Sequence, residues 1–186
     1  MIYPLPAVMV SCGDIEGEHN IITVAWTGIL STDPARCYIS VRPERYSYNM
    51  IKNSGEFVIN LTTSKLAFAT DWCGVRSGRD YNKFTEMGLT PLKSLDVRSP
   101  MIGESPVNLE CRVIEIKKMG SHDMFIADIL QIHATEAYIN KETGAFDLGK
   151  ANLISYSHGK YYTQGRRIGK FGFSVRKKKR KKRGKV

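Results

Sequence analysis

The stretch Asn20-Ile21-Ile22-Thr23-Val24-Ala25-Trp26-Thr27-Gly28 holds the most suggestive chemistry in this chain. Asn20 and Thr23 supply an amide and a hydroxyl, Trp26 a large flat ring, and Thr27-Gly28 lets backbone come close to a ligand. Polar hydrogen-bonders beside an aromatic suit a ring-shaped ligand with polar and apolar edges. An ordinary core strand with a buried tryptophan would carry the same pattern. A second group of residues is cationic. Arg42 stands at a strand end, just before Pro43, where a charge can reach a ligand. Arg79 and Lys83 lie four apart around a helix start, so both can face one anion, such as a phosphate. Exposed basic pairs on a solvated face are the common alternative. His122 falls at a hairpin tip, where a histidine either meets a ligand or is simply solvated.

These residues need strands and short helices to place them. Pro6 to Cys12 reads as a short strand, and Gly13 to Gly17 as the turn of a hairpin leading into Asn20–Gly28, taken as a single strand. Pro34 breaks the chain, and Cys37-Tyr38-Ile39-Ser40-Val41 alternates as a third strand. Ser47 to Gly55 has a helix start and stop, with Ser47 as N-cap and Gly55 as C-cap. Such an N-terminus presents unpaired N–H groups to anionic or carbonyl oxygen. Glu56–Leu61 is a fourth strand. A helix over 64–73 follows, with Leu66, Phe68 and Trp72 toward its apolar side, and Asp80 is the expected N-cap of a short helix ending at Gly88. Residues 106–117 and 124–134 form a hairpin returning at His122; 140–149 is a polar loop, and Asn152–Tyr156 returns to the core. Tyr161, Tyr162, Phe171 and Phe173 are late aromatics. Many short strands with few helices predict a mainly β fold, a β-barrel with helical insertions.

Composition sets bounds. The 186 residues suit one domain with an extension, and no run of 18 apolar residues or charged-then-apolar leader supports a membrane span or signal peptide. The cysteines, Cys12, Cys37, Cys73 and Cys111, lack C-x-x-C spacing, which argues against a zinc site and for reduced thiols in a cytoplasmic protein. The net charge of +10 is concentrated at one end. Nine basic residues and no acid lie in 174–186; removing nine from 28 leaves 19 basic against 18 acidic residues in the rest. Residues 1–173 are therefore the expected domain, and 174–186 a disordered tail. The tail could contact nucleic acid or an anionic surface, or serve only for solubility.

The ordered motifs resemble one family. Pro6-x-Val8 through Val10-Ser11, Gly17-x-x-Asn20-Ile21-x-Thr23-x-Ala25-Trp26-x-Gly28, Ser40-x-Arg42-Pro43-x-Arg45-Tyr46-Ser47, Gly55-Glu56-Phe57-Val58-x-Asn60, Ser77-Gly78-Arg79-Asp80-x-x-Lys83-Phe84, Leu109-Glu110-Cys111 and Tyr161-Tyr162-x-x-Gly165 are similar to the flavin reductase-like proteins. Within that family the likeness is to the flavoredoxin branch, and it covers about residues 4–173. Ser47 stands where the family often has threonine, which keeps the hydroxyl. The basic tail is outside the resemblance.

The resemblance implies a split β-barrel, closed and antiparallel, that forms a homodimer with FMN near the interface. It implies that Trp26 flanks the flavin, and that Asn20, Thr23, Ser40 and Ser47 hydrogen-bond its ribityl chain or ring edges. Ala25 and Tyr156 join the cofactor contacts, and Arg42 and Arg79 are the phosphate candidates. Lys83 and the Ser47 helix start would sit near the flavin N1–C2=O edge, where positive charge favours the reduced state. His122 would touch the ring or a substrate and is the catalytic candidate. NAD(P)H is the expected transient donor, and no G-x-G-x-x-G follows a strand to indicate a Rossmann domain. Two alternatives stand beside this oxidoreductase reading: a flavoprotein reduced by a protein partner, and a non-catalytic flavin-binding module with a nucleic-acid-binding tail.

Overall fold

The computed structural model describes residues 2–176. Strands β1 (Leu5–Pro6), β2 (Val8–Gly13), β3 (His19–Val24), β4 (Thr27–Thr32) and β5 (Ala35–Val41) precede helix α1 (Tyr46–Ser54). Strand β6 (Glu56–Leu61), helices α2 (Ala67–Val75) and α3 (Lys83–Met87), and short strands β7 (Pro91–Leu92) and β8 (Met101–Ile102) follow. The long hairpin β9 (Val107–Lys118) and β10 (Asp123–Ala134) leads to the small hairpin β11 (Ile154–Ser157) and β12 (Lys160–Thr163).

Seven antiparallel strands form the main sheet in the order β3-β2-β6-β9-β10-β5-β4. Strands β3 and β4 are its two edges, so the ladder is not closed. The split, mainly β barrel implied by the resemblance is present, and only its expected closure is corrected, since β3 and β4 are not hydrogen-bonded to each other. The expected single strand over Asn20–Gly28 is likewise two strands on opposite edges, separated by a bend at Ala25-Trp26. That bend puts backbone and the Trp26 ring at the opening between the edges.

Alternation decides what β2 buries. Val8, Val10 and Cys12 join Ile39, Phe57, Phe125 and Ala127 in the barrel interior, with Tyr48 and Ile51 of α1 packed among them. Met9 points the other way, into a second core with Ile21, Leu66, Ala69, Cys73 and Phe84. With both faces covered, β2 reads as a continuous apolar run. Phe57 and Phe125 are fully buried, each worth about 1.5–3 kcal/mol of apolar transfer. Asn60 ties β6 to its surroundings. Its Nδ2 donates to Met9 O at 3.0 Å and Ser11 Oγ at 3.0 Å, while its Oδ1 accepts from Ile102 N–H at 2.9 Å and Asn108 Nδ2 at 2.7 Å.

Several local expectations shift. The N-cap of α1 is Arg45, without a side-chain capping bond, and Ser47 lies inside the first turn. Gly55 closes α1 as expected, at φ 69° with its N–H donating to Ile51 O. Asn82, not Asp80, caps α3 by accepting from Thr85 N–H at 3.2 Å; Gly88 ends it at φ 61°. The 64–73 helix is a 3-10 turn, Ser64–Leu66, followed by α2, which runs to Val75. Phe68 faces outward at 75 % exposure because Leu66, Ala69 and Cys73 take the buried side. Phe171 and Phe173 are exposed, so these late aromatics add nothing to the core.

The four cysteines are free and buried. Among the described residues, no helix is long and apolar enough to cross a membrane. A 3-10 turn at Phe173–Val175 crosses the expected domain end, and the tail expected to be disordered lies, for residues 177–186, outside the described residues.

Candidate functional site

Three adjoining cavities surround β3. The first, of about 320 Å³, lies between β3, the start of α1 and the end of α2, and is bordered by Arg42, Arg45, Arg76, Arg79 and Lys83. Its one carboxylate is Glu44. The cation excess follows from the fold: the segment before α1 brings Arg42 and Arg45, the chain after α2 brings Arg76 and Arg79, and α3 opens with Lys83. No side chain caps α1 and no acid sits in its first turn, so its leading N–H groups add positive potential beside Ser47. Such a cavity concentrates an anion.

The wall of this cavity is polar and fixed. Asn20, only 3 % exposed on β3, donates from Nδ2 to Ser47 Oγ at 2.9 Å. Gly78 packs against the same amide so closely that a Cβ there would lie 2.4 Å from Asn20 Oδ1. Tyr46 donates its hydroxyl to the Glu18 carboxylate, and Arg79 lies 5.6 Å above the Tyr46 ring. Lys83 is buried at 4 % exposure, and its Nζ donates to Ile21 O and Cys73 O, each at 2.7 Å. Burial pushes its ammonium down to about 8, with the Arg45 charge acting in the same direction against the nearby Cys73 and Cys12 thiols.

A second cavity, of about 170 Å³, shares Ile22, Arg42 and Arg45 with the first and continues past Thr23, Ala25, Trp26, Ser40 and His122. Trp26, 45 % exposed, packs its ring against His122 at 4.3 Å between centroids. Ser40 N–H donates to Trp26 O at 2.9 Å, which holds the bend. Ser121 Oγ lies 3.0 Å from His122 Nδ1. Burial first, then the Arg42 charge, lowers the His122 imidazolium below its ordinary range, which favours the neutral ring. Thr23 differs from expectation in one respect: its hydroxyl donates to Thr70 O of α2, so that donor is spent within the protein.

A third cavity, of about 320 Å³, is reached past Thr23 and Ala25 and is bordered by Asp71 and the tyrosines of the small hairpin, Tyr156 and Tyr161. All eleven residues singled out from the sequence therefore border one of three contiguous cavities. Asn20, Ser47, Arg79 and Lys83 belong to the first, Arg42 to the first two, and Ala25 and Thr23 to the last two. Trp26, Ser40 and His122 belong to the second, and Tyr156 to the third alone. Sequence reasoning did not select Arg45 and Arg76. An arginine at a helix N-cap, where a short oxygen-bearing side chain is favoured, is the signal that marks Arg45.

The family model described as "Flavin reductase like domain" matches residues 1–163. The chain belongs to the flavin reductase-like family. An uncharacterized protein of Archaeoglobus fulgidus is 32% identical to this flavin reductase-like chain over 162 residues, covering 87% of this chain and 89% of the relative. The NADPH-flavin oxidoreductase of Streptomyces viridifaciens is 25% identical over 129 residues, 68% of this chain and 65% of that protein. Among solved structures, flavoredoxin of Desulfovibrio vulgaris (Miyazaki F) superposes with a TM-score of 0.87 at 27% identity, covering 95% of both chains. The split-barrel architecture and the family assignment thus agree.

Proposed function

We propose that this flavin reductase-like chain is an FMN-binding oxidoreductase that takes hydride from NAD(P)H and passes electrons to an acceptor, acting as a homodimer in the cytoplasm. The observation that carries the reading is the cavity with five cations and one carboxylate, opening directly into a slot bounded by Trp26 and His122. The residues present fit FMN. The arginines would hold its phosphate, the Asn20–Ser47 pair and Ser40 would bond its polyol, and Trp26 would lie against its ring beside polar groups. When bound, FMN supplies the redox chemistry, since its ring accepts and returns hydride.

Each part of the site has a task. Arg42 and Arg79, with Arg45 and Arg76 beside them, would hold the phosphate through charge-assisted bonds worth about 1.5–3 kcal/mol each. Lys83 has two of its three donors committed to carbonyls, which leaves one for a ligand acceptor. Because those carbonyls fix it, its charge is preorganised to stabilise negative charge beside it. Trp26 covers one side of the slot and keeps water off it. His122, neutral and steadied by Ser121 at Nδ1, can hold or accept a proton at Nε2. Ile29 at 61 % and Leu30 at 48 % exposure on edge strand β4 are apolar groups that a second copy would cover.

Anaerobic addition of NADH or NADPH tests the reading. Loss of the oxidised flavin band is expected. An unchanged band on FMN-loaded protein would instead favour reduction by a protein partner, a second reading supported by Phe68 and Val75, 75 % and 71 % exposed on α2, with Val75 bordering two of the cavities. Protein that cannot take up FMN would sink both.

A further inference from the structure

The small hairpin carries a hydrogen-bonded pair to which the proposed FMN contacts assign no task. Tyr161 on β12 donates its hydroxyl to Asp71 Oδ1 on α2 at 3.1 Å. Both residues border the third cavity, beside the small side chains Ala7 and Ala25 and the bare backbone of Gly74. The ring of Tyr156 meets Tyr161 edge-on at 5.5 Å and borders the cavity as well. The charge here is opposite to that of the first cavity. Among the described residues, no lysine, arginine or histidine borders it, and Asp71 is its single ionic group.

Counting donors and acceptors gives this wall a definite chemistry. The Tyr161 hydroxyl spends its proton on Asp71, so only its acceptor lone pairs remain. Burial, then the bond to Asp71, pushes that hydroxyl up to about 12, so it stays neutral. Among the described residues, Asp71 Oδ2 accepts no hydrogen bond, so it too is an open acceptor. A cavity of about 320 Å³ bordered by Ala7, Ala25 and the Tyr156 ring has room for a planar ring. The Asp71–Tyr161 pair, which offers acceptors only, then favours a ring bearing an N–H₂ group and repels one bearing a carboxylate.

We propose that Asp71, held in place by Tyr161, is a specificity residue that reads the primary carboxamide on the planar ring of the hydride donor and rejects the matching carboxylate. This rests on the reading of NAD(P)H as donor. It adds which group on the donor is recognised, and by which residue of this chain.

Equilibrium dialysis of the FMN-loaded protein against NAD⁺ and against nicotinic acid adenine dinucleotide tests it, since the two ligands differ only in that carboxamide and carboxylate. The unsubstituted protein should bind NAD⁺ at least about tenfold more tightly, the scale of one good polar contact against one repulsive one. In Asp71→Asn the carbonyl can still accept from Tyr161, while the new N–H₂ donates to a carboxylate, so the ratio should fall to within about threefold. Tyr161→Phe keeps the carboxylate but removes the bond that holds it, so a preference for NAD⁺ should remain, smaller than in the unsubstituted protein and larger than in Asp71→Asn. Discrimination that persists in Asp71→Asn, or equal weakening of both ligands, would overturn the proposal and leave the pair as a tether between hairpin and helix. Protein that holds FMN yet binds neither dinucleotide also overturns it while FMN binding stands. Failure to hold FMN would instead remove the proposed function itself.

Discussion

Replacing Lys83 with methionine removes a buried ammonium while keeping an unbranched side chain, one heavy atom shorter. In the folded protein Nζ donates to Ile21 O and Cys73 O at 2.7 Å and borders the arginine-lined cavity. A hydrogen bond from a charged donor contributes about 1.5–3 kcal/mol, so Lys83→Met should weaken FMN binding by roughly tenfold to a hundredfold. The pH dependence separates this from a general loss of structure. With its folded pKa lowered to about 8, Lys83 loses its proton as pH rises through that value. FMN affinity should therefore be highest below about pH 8 and fall above it in the parent protein, and be flatter in Lys83→Met. Stability of the FMN-free parent moves the opposite way. Between the folded value of about 8 and the ordinary lysine value of 10.5, the unfolded chain binds the extra proton, so stability rises with pH across that window. The destabilisation by the buried charge is fully present below it and is absent from Lys83→Met. Flavin fluorescence titrations at pH 7 and pH 9.5 make the comparison. An FMN affinity for Lys83→Met within twofold of the parent at both pH values would refute the role given to this ammonium.

Gly78→Ala should weaken FMN binding about tenfold or more, because its Cβ would meet the Asn20 amide at 2.4–2.5 Å and push it off Ser47; an affinity within twofold of the parent would show that the wall can yield. Glu110→Ala should lower Tm by roughly 6–12 °C, reflecting on the order of 3 kcal/mol, since the fully buried Glu110 carboxylate accepts from the N–H groups of Leu95, Asp96 and Val97 and lies 2.6 Å from His133 Nε2. A shift below about 2 °C in a calorimetric scan would mean that water replaces the carboxylate there. A chain ending at Phe173 should have a dimer's mass by light scattering and the FMN affinity of the full chain, because the nine basic residues lie beyond the last of the resembling motifs. A monomeric mass would contradict this.

The sequence made the strands legible where one face or both are buried. Glu56–Leu61 and the hairpin returning at His122 follow from apolar runs bounded by turn residues, and Gly55 and Gly88 follow from the left-handed conformation that ends α1 and α3. The bend at Ala25-Trp26 escaped because the apolar run continues across it; periodicity does not register that the chain leaves one sheet edge for the other. Ser47 and Asp80 failed as caps for a local reason. At α3 two short polar residues compete and Asn82 takes the cap, whereas α1 starts from the extended backbone of Arg45 with no side-chain cap at all. Arg45 and Arg76 join the site only through the long-range meeting of the α1 start and the α2 end. The burial of Lys83 is equally non-local, since its two carbonyl partners are 62 and 10 residues away.

The most direct test of the central claim is the identity of the flavin carried by the purified chain. The five-cation cavity and its aromatic slot predict a yellow protein that releases FMN, close to one per chain, on heat denaturation. Release of FAD as the dominant flavin, or a colourless protein that added FMN cannot convert to the yellow form, would contradict it.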